Sequence, residues 1–295
     1  VPPTAGGPAG SGAAARTTPA QWARTLARGT VPGTLHLPRT TRGEGEHLPG
    51  AATGRGARRG ETRTESLPVT HLTDAHGDLL LLLERGAALH ERLQELGAQA
   101  GDLGVPVVLD VLDVPPGQAS LPRARLTVTG WVLPVPAADE RRVAQAAASA
   151  RPLGALLDVG RTQQLWRLEV GEVRVTTPQG VHVVGDEEVT TATPDPLYET
   201  EDVVVAHLET HHGDELVGWV LRTLPLEAAR AVREVSVVGA DRHGLDVLCT
   251  IGASTTVLRA AFDIPVRGEE ELPAALCRLF DCPCARHESL AGAHR

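Results

Sequence analysis

Apolar positions recur along this chain at two spacings, and the spacing of a β-strand dominates up to the middle of the sequence. Thr18 and Pro19 mark a helix start, Trp22, Ala23 and Leu26 repeat at helical spacing, and Gly29 ends the segment. Val31 to Leu37 alternates as a strand does. Pro68–Leu72 and Asp78–Leu83 read as a hairpin about the turn Asp74-Ala-His-Gly77. Ala87–Leu96 reads as a helix with Leu89, Leu93 and Leu96 on one face. Val105–Val114 is nearly all apolar, as expected of a strand covered on both faces. In Arg123–Val132, Ala124, Leu126, Val128, Gly130 and Val132 alternate with Arg125, Thr127, Thr129 and Trp131, which predicts one buried face. A helix begins at Asp139 and Glu140 and stops at Pro152. Gln163–Val170 and Glu172–Thr177 read as separate strands divided by Gly171. Closely spaced strands with brief helices predict a β-barrel rather than a parallel α/β sheet.

The rhythm changes after Pro194-Asp-Pro196, a rigid extended stretch. Val203–Leu221 predicts one amphipathic helix. Ala231–Val238, Leu245–Thr250 and Thr255–Phe262 predict strands, with turns at Asp241–Gly244 and Gly252–Ser254, and Glu269–Phe280 predicts a closing helix. The expected fold class is α+β: a β-barrel followed by a small α+β domain. Its expected organisation is a disordered leader (1–18), a barrel domain (19–190) with a Gly/Arg-rich loop at 39–65, a linker (191–201), an α+β domain (202–281) and a flexible tail (282–295).

Composition narrows the function classes. The chain of 295 residues carries a net charge of −9, and its 28 basic residues are all Arg, so Lys-dependent chemistry is excluded. An acidic chain without a basic domain argues against nucleic acid as the partner. The longest aliphatic run, Leu79–Leu83, is far short of the ~20 residues of a membrane helix, so no membrane is expected. The four Cys do not make a disulfide scaffold, and no secretory signal is visible; a cytoplasmic protein is expected. With aromatics at 2%, each Trp and Phe carries a large share of the packing.

The densest chemistry is His207-Leu-Glu-Thr-His211-His212-Gly-Asp214-Glu215. On one helix His207, His211 and Glu215 share a face, and His212 joins Leu208 and Leu216 on the apolar side. A zinc protease needs Glu directly after the first His; Leu208 stands there, which excludes it. Open readings are a divalent-metal site from His207, His211 and Glu215, a core histidine at 212, or an imidazole ligating haem iron. The tail Cys277-x4-Cys282-Pro-Cys284-x2-His287 is tight for a zinc cage and matches no common finger; Cys277 is expected in the core of the last helix. There is no phosphate-binding G-x-x-x-x-G-K-[ST] loop and no G-x-S-x-G elbow, and no Ser/His/Asp arrangement stands out, so nothing favours a hydrolase.

The segments DVVVAHLETHHGDEL, VVGADRHGLDVLC and TTVLRAAFDIPV, with the closing helix, resemble the C-terminal domain (domain of unknown function 2470) of HugZ-type haem-utilisation proteins. The family helix carries His-Met/Leu-Asn-x-Asp-His-x-x-x-Leu. His207, Leu208, His212 and Leu216 match it, whereas Glu209 and His211 depart from the Asn and the Asp; the turn Asp241-Arg-x-Gly244-Leu-Asp246 also matches. Upstream, VTHLTDAHGDLLLLLE, VPVVLDVLDV, RARLTVTGWV and LWRLEVGEV resemble the split β-barrel of the pyridoxamine-phosphate-oxidase-like, FMN-binding superfamily. The resemblance implies a homodimeric split barrel that binds haem, which some members cleave oxidatively to a bilin with release of iron. It also implies two alternatives: an oxidoreductase holding FMN or F420, and a non-catalytic haem-responsive regulator. His212, or His207, is the implied iron contact; some relatives use a histidine of the tail, where His287 and His294 stand here. Arginine is the only cation available for haem propionates, and Arg161, Arg167 and Arg174 are the candidates.

Overall fold

The computed structural model describes residues 16–38, 64–114 and 122–280. Most of the expected leader and loop and all of the tail, including Cys282, Cys284, His287 and His294, lie outside the described residues. In chain order the elements are α1 (Pro19–Ala27), β1 (Gly33–Pro38), β2 (Thr64–Thr73), β3 (Leu79–Glu84), α2 (Ala88–Ala100), β4 (Val105–Asp113) and β5 (Ala124–Pro134). There follow α3 (Glu140–Ala150), β6 (Gln163–Thr177), β7 (Gly180–Val184) and α4 (Asp186–Thr191). The last are α5 (Glu201–His211), α6 (Gly213–Thr223), α7 (Leu226–Arg230), β8 (Val232–Asp241), β9 (Gly244–Ile251), β10 (Ser254–Ala261) and α8 (Leu272–Phe280). The chain divides into two compact units, residues 26–113 with 124–192, and residues up to 25, 114–123 and from 193 on.

The first unit is an antiparallel sheet in the order β3-β2-β1-β4-β5-β6-β7, and a further β3–β6 pairing closes all but β7 into a barrel. The long strand β6 makes this closure. Its first half pairs with β3 (Leu79↔Leu168 to Glu84↔Gln163), and its second half carries β7 (Val173↔Val184 to Thr177↔Gly180). The expected break at Gly171 is instead a β-bulge within one strand: Thr129 pairs with Glu172 and Gly130 with Val170, so Gly171 is the extra residue. The extra residue reverses the side-chain alternation. Arg167 and Arg174, which strict alternation would set on opposite faces, therefore share the outer face. Inside, Leu35, Leu81, Leu109, Leu126 and Trp166 are buried. Helix α3 lays Val143, Ala144 and Ala147 on Leu72, Leu80, Leu82 and Leu165. Gly29 (φ 78°) is required where the chain crosses β2, because a Cβ there would lie 1.7 Å from the His71 carbonyl oxygen.

In the second unit, α1 starts with a capping box: the Gln21 N–H donates to Thr18 Oγ1 at 3.2 Å and the Thr18 N–H to Gln21 Oε1 at 2.9 Å. A three-stranded sheet, β10-β9-β8, packs with α5, α6 and α8 around Leu208, Leu216, Val220, Leu245, Val247, Phe262, Leu276 and Phe280. Glu201, at the start of α5, binds Arg123 through both carboxylate oxygens and accepts the Ala240 N–H at 2.7 Å. The expected single helix Val203–Leu221 is two, α5 and α6, joined at His212 (φ −127°, ψ 22°). Gly213, a poor helix former, follows the junction.

Asp195, between the two prolines, is a buried tether. It accepts N–H bonds from Leu197 (2.9 Å) and Arg242 (3.0 Å), and its own N–H donates to Thr25 Oγ1 at 2.8 Å. Burial pushes its carboxyl from 3.8 up to about 6; the two N–H bonds oppose the rise, and the charges of Asp241 and Glu201 add to it. The folded state thus holds this proton more tightly than the unfolded chain does. Its contribution to stability is greatest below the unfolded pKa and is lost as pH rises through about 6. At ~1.4 kcal/mol per pKa unit the loss is about 3 kcal/mol. Urea unfolding of wild type and Asp195→Asn from pH 4 to 7 is expected to show this fall in wild type only.

Candidate histidine site

The break at His212 rearranges the imidazoles that the sequence puts on one helix. The His207 ring lies 4.9 Å from that of His211 and 5.4 Å from that of His212. The His212 ring stacks on Phe280 of α8, centroids 6.3 Å apart and 19° between planes. The His212 side chain is only 13% exposed, and its buried Nδ1 has no hydrogen-bond partner. The nearest carboxylate oxygen, Glu215 Oε1, is 4.0 Å from Nδ1, beyond hydrogen-bond range. With Glu215 on a separate helix, the expected face of His207, His211 and Glu215 does not form. Among the described residues no group of three or more His, Cys, Asp or Glu is gathered for a metal ion. Cys277 lies half-buried in α8.

The buried histidines of the barrel already have structural partners. His71 Nε2–H donates to the Leu26 carbonyl at 2.9 Å, and burial pushes this imidazole below its ordinary 6.5 despite that bond, with Arg151 adding to the fall. His90 Nε2–H donates to Gln164 Oε1 at 2.8 Å. The candidate arginines belong to the barrel unit. Arg174 is 2.6 Å from Glu172 and Arg167 is 3.8 Å from Asp78, so each already faces a carboxylate. Arg161 lines a cavity of about 680 Å3 formed by α3 and the 3-10 turn Gly154–Asp158, with Arg141, Ala144, Ala148 and Leu156. The sequence offered no grouping of Ser66, His36 and Asp110, yet these three join through cross-strand hydrogen bonds. No local motif announces them; only the β2-β1-β4 register does.

Compared with solved structures, the chain matches a haem-binding protein of Mycobacterium smegmatis with a TM-score of 0.58 at 22% identity, over 90% of this chain and 98% of that one. The two share a fold. This is a split β-barrel followed by an α+β part, as the strand pattern and the resemblance led us to expect. Looser matches are ChuZ of Campylobacter jejuni (TM-score 0.38, 8% identity, 58% of this chain and 61% of that one) and the haem storage protein HutZ of Vibrio cholerae (0.32, 13%, 54% and 89%). No family model and no curated protein matches the sequence. No helix among the described residues is long and apolar enough to cross a membrane.

Proposed function

We propose that this chain binds haem through an imidazole at the α5–α6 junction, with His212 as the iron ligand and His207 as the alternative beside it. The observation that carries this reading is the state of His212: a largely sheltered ring, stacked on Phe280, whose inner nitrogen is shut away from water without a partner. An imidazole with Nδ1 turned inward leaves Nε2 for a metal. Glu215 is the carboxylate near enough to accept a hydrogen bond from Nδ1–H on a small side-chain movement and so fix the tautomer, as second partners of metal-bound histidines do. Bound haem would supply an iron centre able to react with O2, chemistry that belongs to the cofactor and needs little more from the protein than this ligand and an open opposite side. Support also comes from the protein of M. smegmatis that shares the fold, which is itself a haem-binding protein. Arg161, Arg167 and Arg174 are not needed for the proposal, since one iron–imidazole bond anchors the cofactor.

Titration of the purified chain with haem is expected to give a Soret band saturating at one haem per chain. A yellow protein with flavin fluorescence and no Soret response would instead support the FMN or F420 oxidoreductase, and a chain that takes up neither would leave a regulator without a cofactor. The finer reading, oxidative opening to a bilin with iron release, is measured with ascorbate and O2: a falling Soret band with a rising bilin band supports turnover, and an intact band restricts the function to binding. The paired arrangement that the resemblance implies is read by light scattering, where a dimer has twice the 31.0 kDa of the chain.

A further inference from the structure

On the outer face of the barrel, strands β2, β1 and β4 bring a hydroxyl, an imidazole and a carboxylate into one hydrogen-bonded line. Ser66 Oγ is 2.8 Å from His36 Nδ1, and His36 Nε2 is 3.0 Å from Asp110 Oδ2. The register explains the line: Ser66 is the direct cross-strand partner of His36, and Asp110 the direct partner of Thr34, whose side chain shares the His36 face. Asp110 is kept ionised by its neighbours. Burial works against its charge, but hydrogen bonds from Arg125 (2.5 Å) and Thr127 (2.6 Å), the Arg125 charge and His36 together hold it below the usual carboxylate range. An ionised carboxylate only accepts, so the proton of the imidazole sits on Nε2. Nδ1 then presents its lone pair to the Ser66 hydroxyl. A nucleophile, a base and a third group that orients the base are the defining relations of an activated serine, whatever the fold and whichever ring nitrogen faces the hydroxyl.

We propose that Ser66 is an activated nucleophile that accepts an acyl group from small activated esters, with His36 as its base and Asp110 as the positioning residue. Ser66 Oγ bonds to the ester carbonyl carbon and its proton passes to His36 Nδ1. The carbon–oxygen bond to the leaving group then breaks, and His36 returns the proton to the departing oxygen. Water reverses the sequence to free the serine. The site lies open on the sheet face: Ser66 is exposed and Leu112, on the Asp110 side of β4, is 49% exposed. Small substrates that need no deep pocket therefore suit it. The N–H groups of β1 from Gly33 to His36 are committed to the ladders with β2 and β4, so this strand offers the serine no oxyanion hole. Such a hole is worth about 10²–10³ in rate and serves both acylation and deacylation; an activated leaving group speeds only the first, so acyl-Ser66 is expected to accumulate rather than turn over quickly.

The test uses the full chain with p-nitrophenyl acetate and a fluorophosphonate probe. A p-nitrophenolate burst of about one per chain is expected, with the label on the tryptic peptide that contains Ser66. Ser66→Ala should abolish both signals. His36→Gln should slow labelling at least a hundredfold, in the range of a lost general base, and added imidazole should restore part of it. Asp110→Asn should slow it at least tenfold; because Asp110 also holds Arg125, the imidazole rescue of His36→Gln is the arm that a merely structural role would not move. Labelling of Ser66 no faster than of other hydroxyls such as Ser149, or unchanged labelling in His36→Gln, would overturn the proposal.

Discussion

Replacing Glu201 with alanine is expected to destabilise the unit built on β8, β9 and β10 by about 3–5 kcal/mol, the range for breaking a buried ion pair from one side. Glu201 is 4% exposed, and the Arg123 side chain that it binds is 16% exposed and lies 5.5 Å over the Trp22 ring. Truncation removes two charge-assisted bonds to Arg123 and the acceptor of the Ala240 N–H in a site shielded from water. The paired replacement Arg123→Met with Glu201→Leu is expected to cost less than Glu201→Ala alone, because it removes both charges together and keeps apolar volume at both positions. Urea unfolding of wild type, Arg123→Met, Glu201→Leu and the double variant forms a double-mutant cycle for the pair. A Glu201→Ala variant within about 1 kcal/mol of wild type would show that the pair is not a structural anchor.

How far the fold can be read from the sequence depends on whether the deciding contacts are local. Alternation in Arg123–Val132 and the hairpin from Pro68 to Leu83 mark the barrel strands, because one face of each is buried and side chains alternate with period two. The Thr18–Gln21 capping box is equally local. The errors fall where a single residue changes the count. Gly171 looks like a strand end, yet a bulge absorbs one extra residue without ending the ladder, and the outer-face arginines change sides with it. His212 looks like one position on a long helix, yet the helix restarts at Gly213 and the His212 ring joins those of His207 and His211 in a cluster of tilted rings. Strand β7 and helices α4 and α7 are five or six residues each, too short for periodicity to register. The Arg123–Glu201 pair spans 78 positions, and Ser66 and Asp110 stand 30 and 74 positions from His36. Nothing in composition or spacing links residues so far apart. The same holds for the state of His212: the motif marks the residue, but the Phe280 stacking and the unpartnered Nδ1 arise only from packing.

The second large effect is expected at that histidine. An iron–imidazole bond supplies most of the specificity of a haem site on a surface with few aromatic rings, so His212→Ala should weaken haem affinity by at least a hundredfold and displace the Soret maximum. His207→Ala should weaken it less than tenfold, because its ring supports that of His212 from 5.4 Å. Unfolding curves for both variants should stay close to wild type, which separates ligand loss from unfolding.

The most direct measurement is a haem titration followed at the Soret band for wild type, His207→Ala, His212→Ala and the double variant. Saturable binding lost in His212→Ala and largely kept in His207→Ala is the predicted result. Equal Soret bands and affinities in wild type and the double variant would contradict it and remove these imidazoles from any role in holding haem.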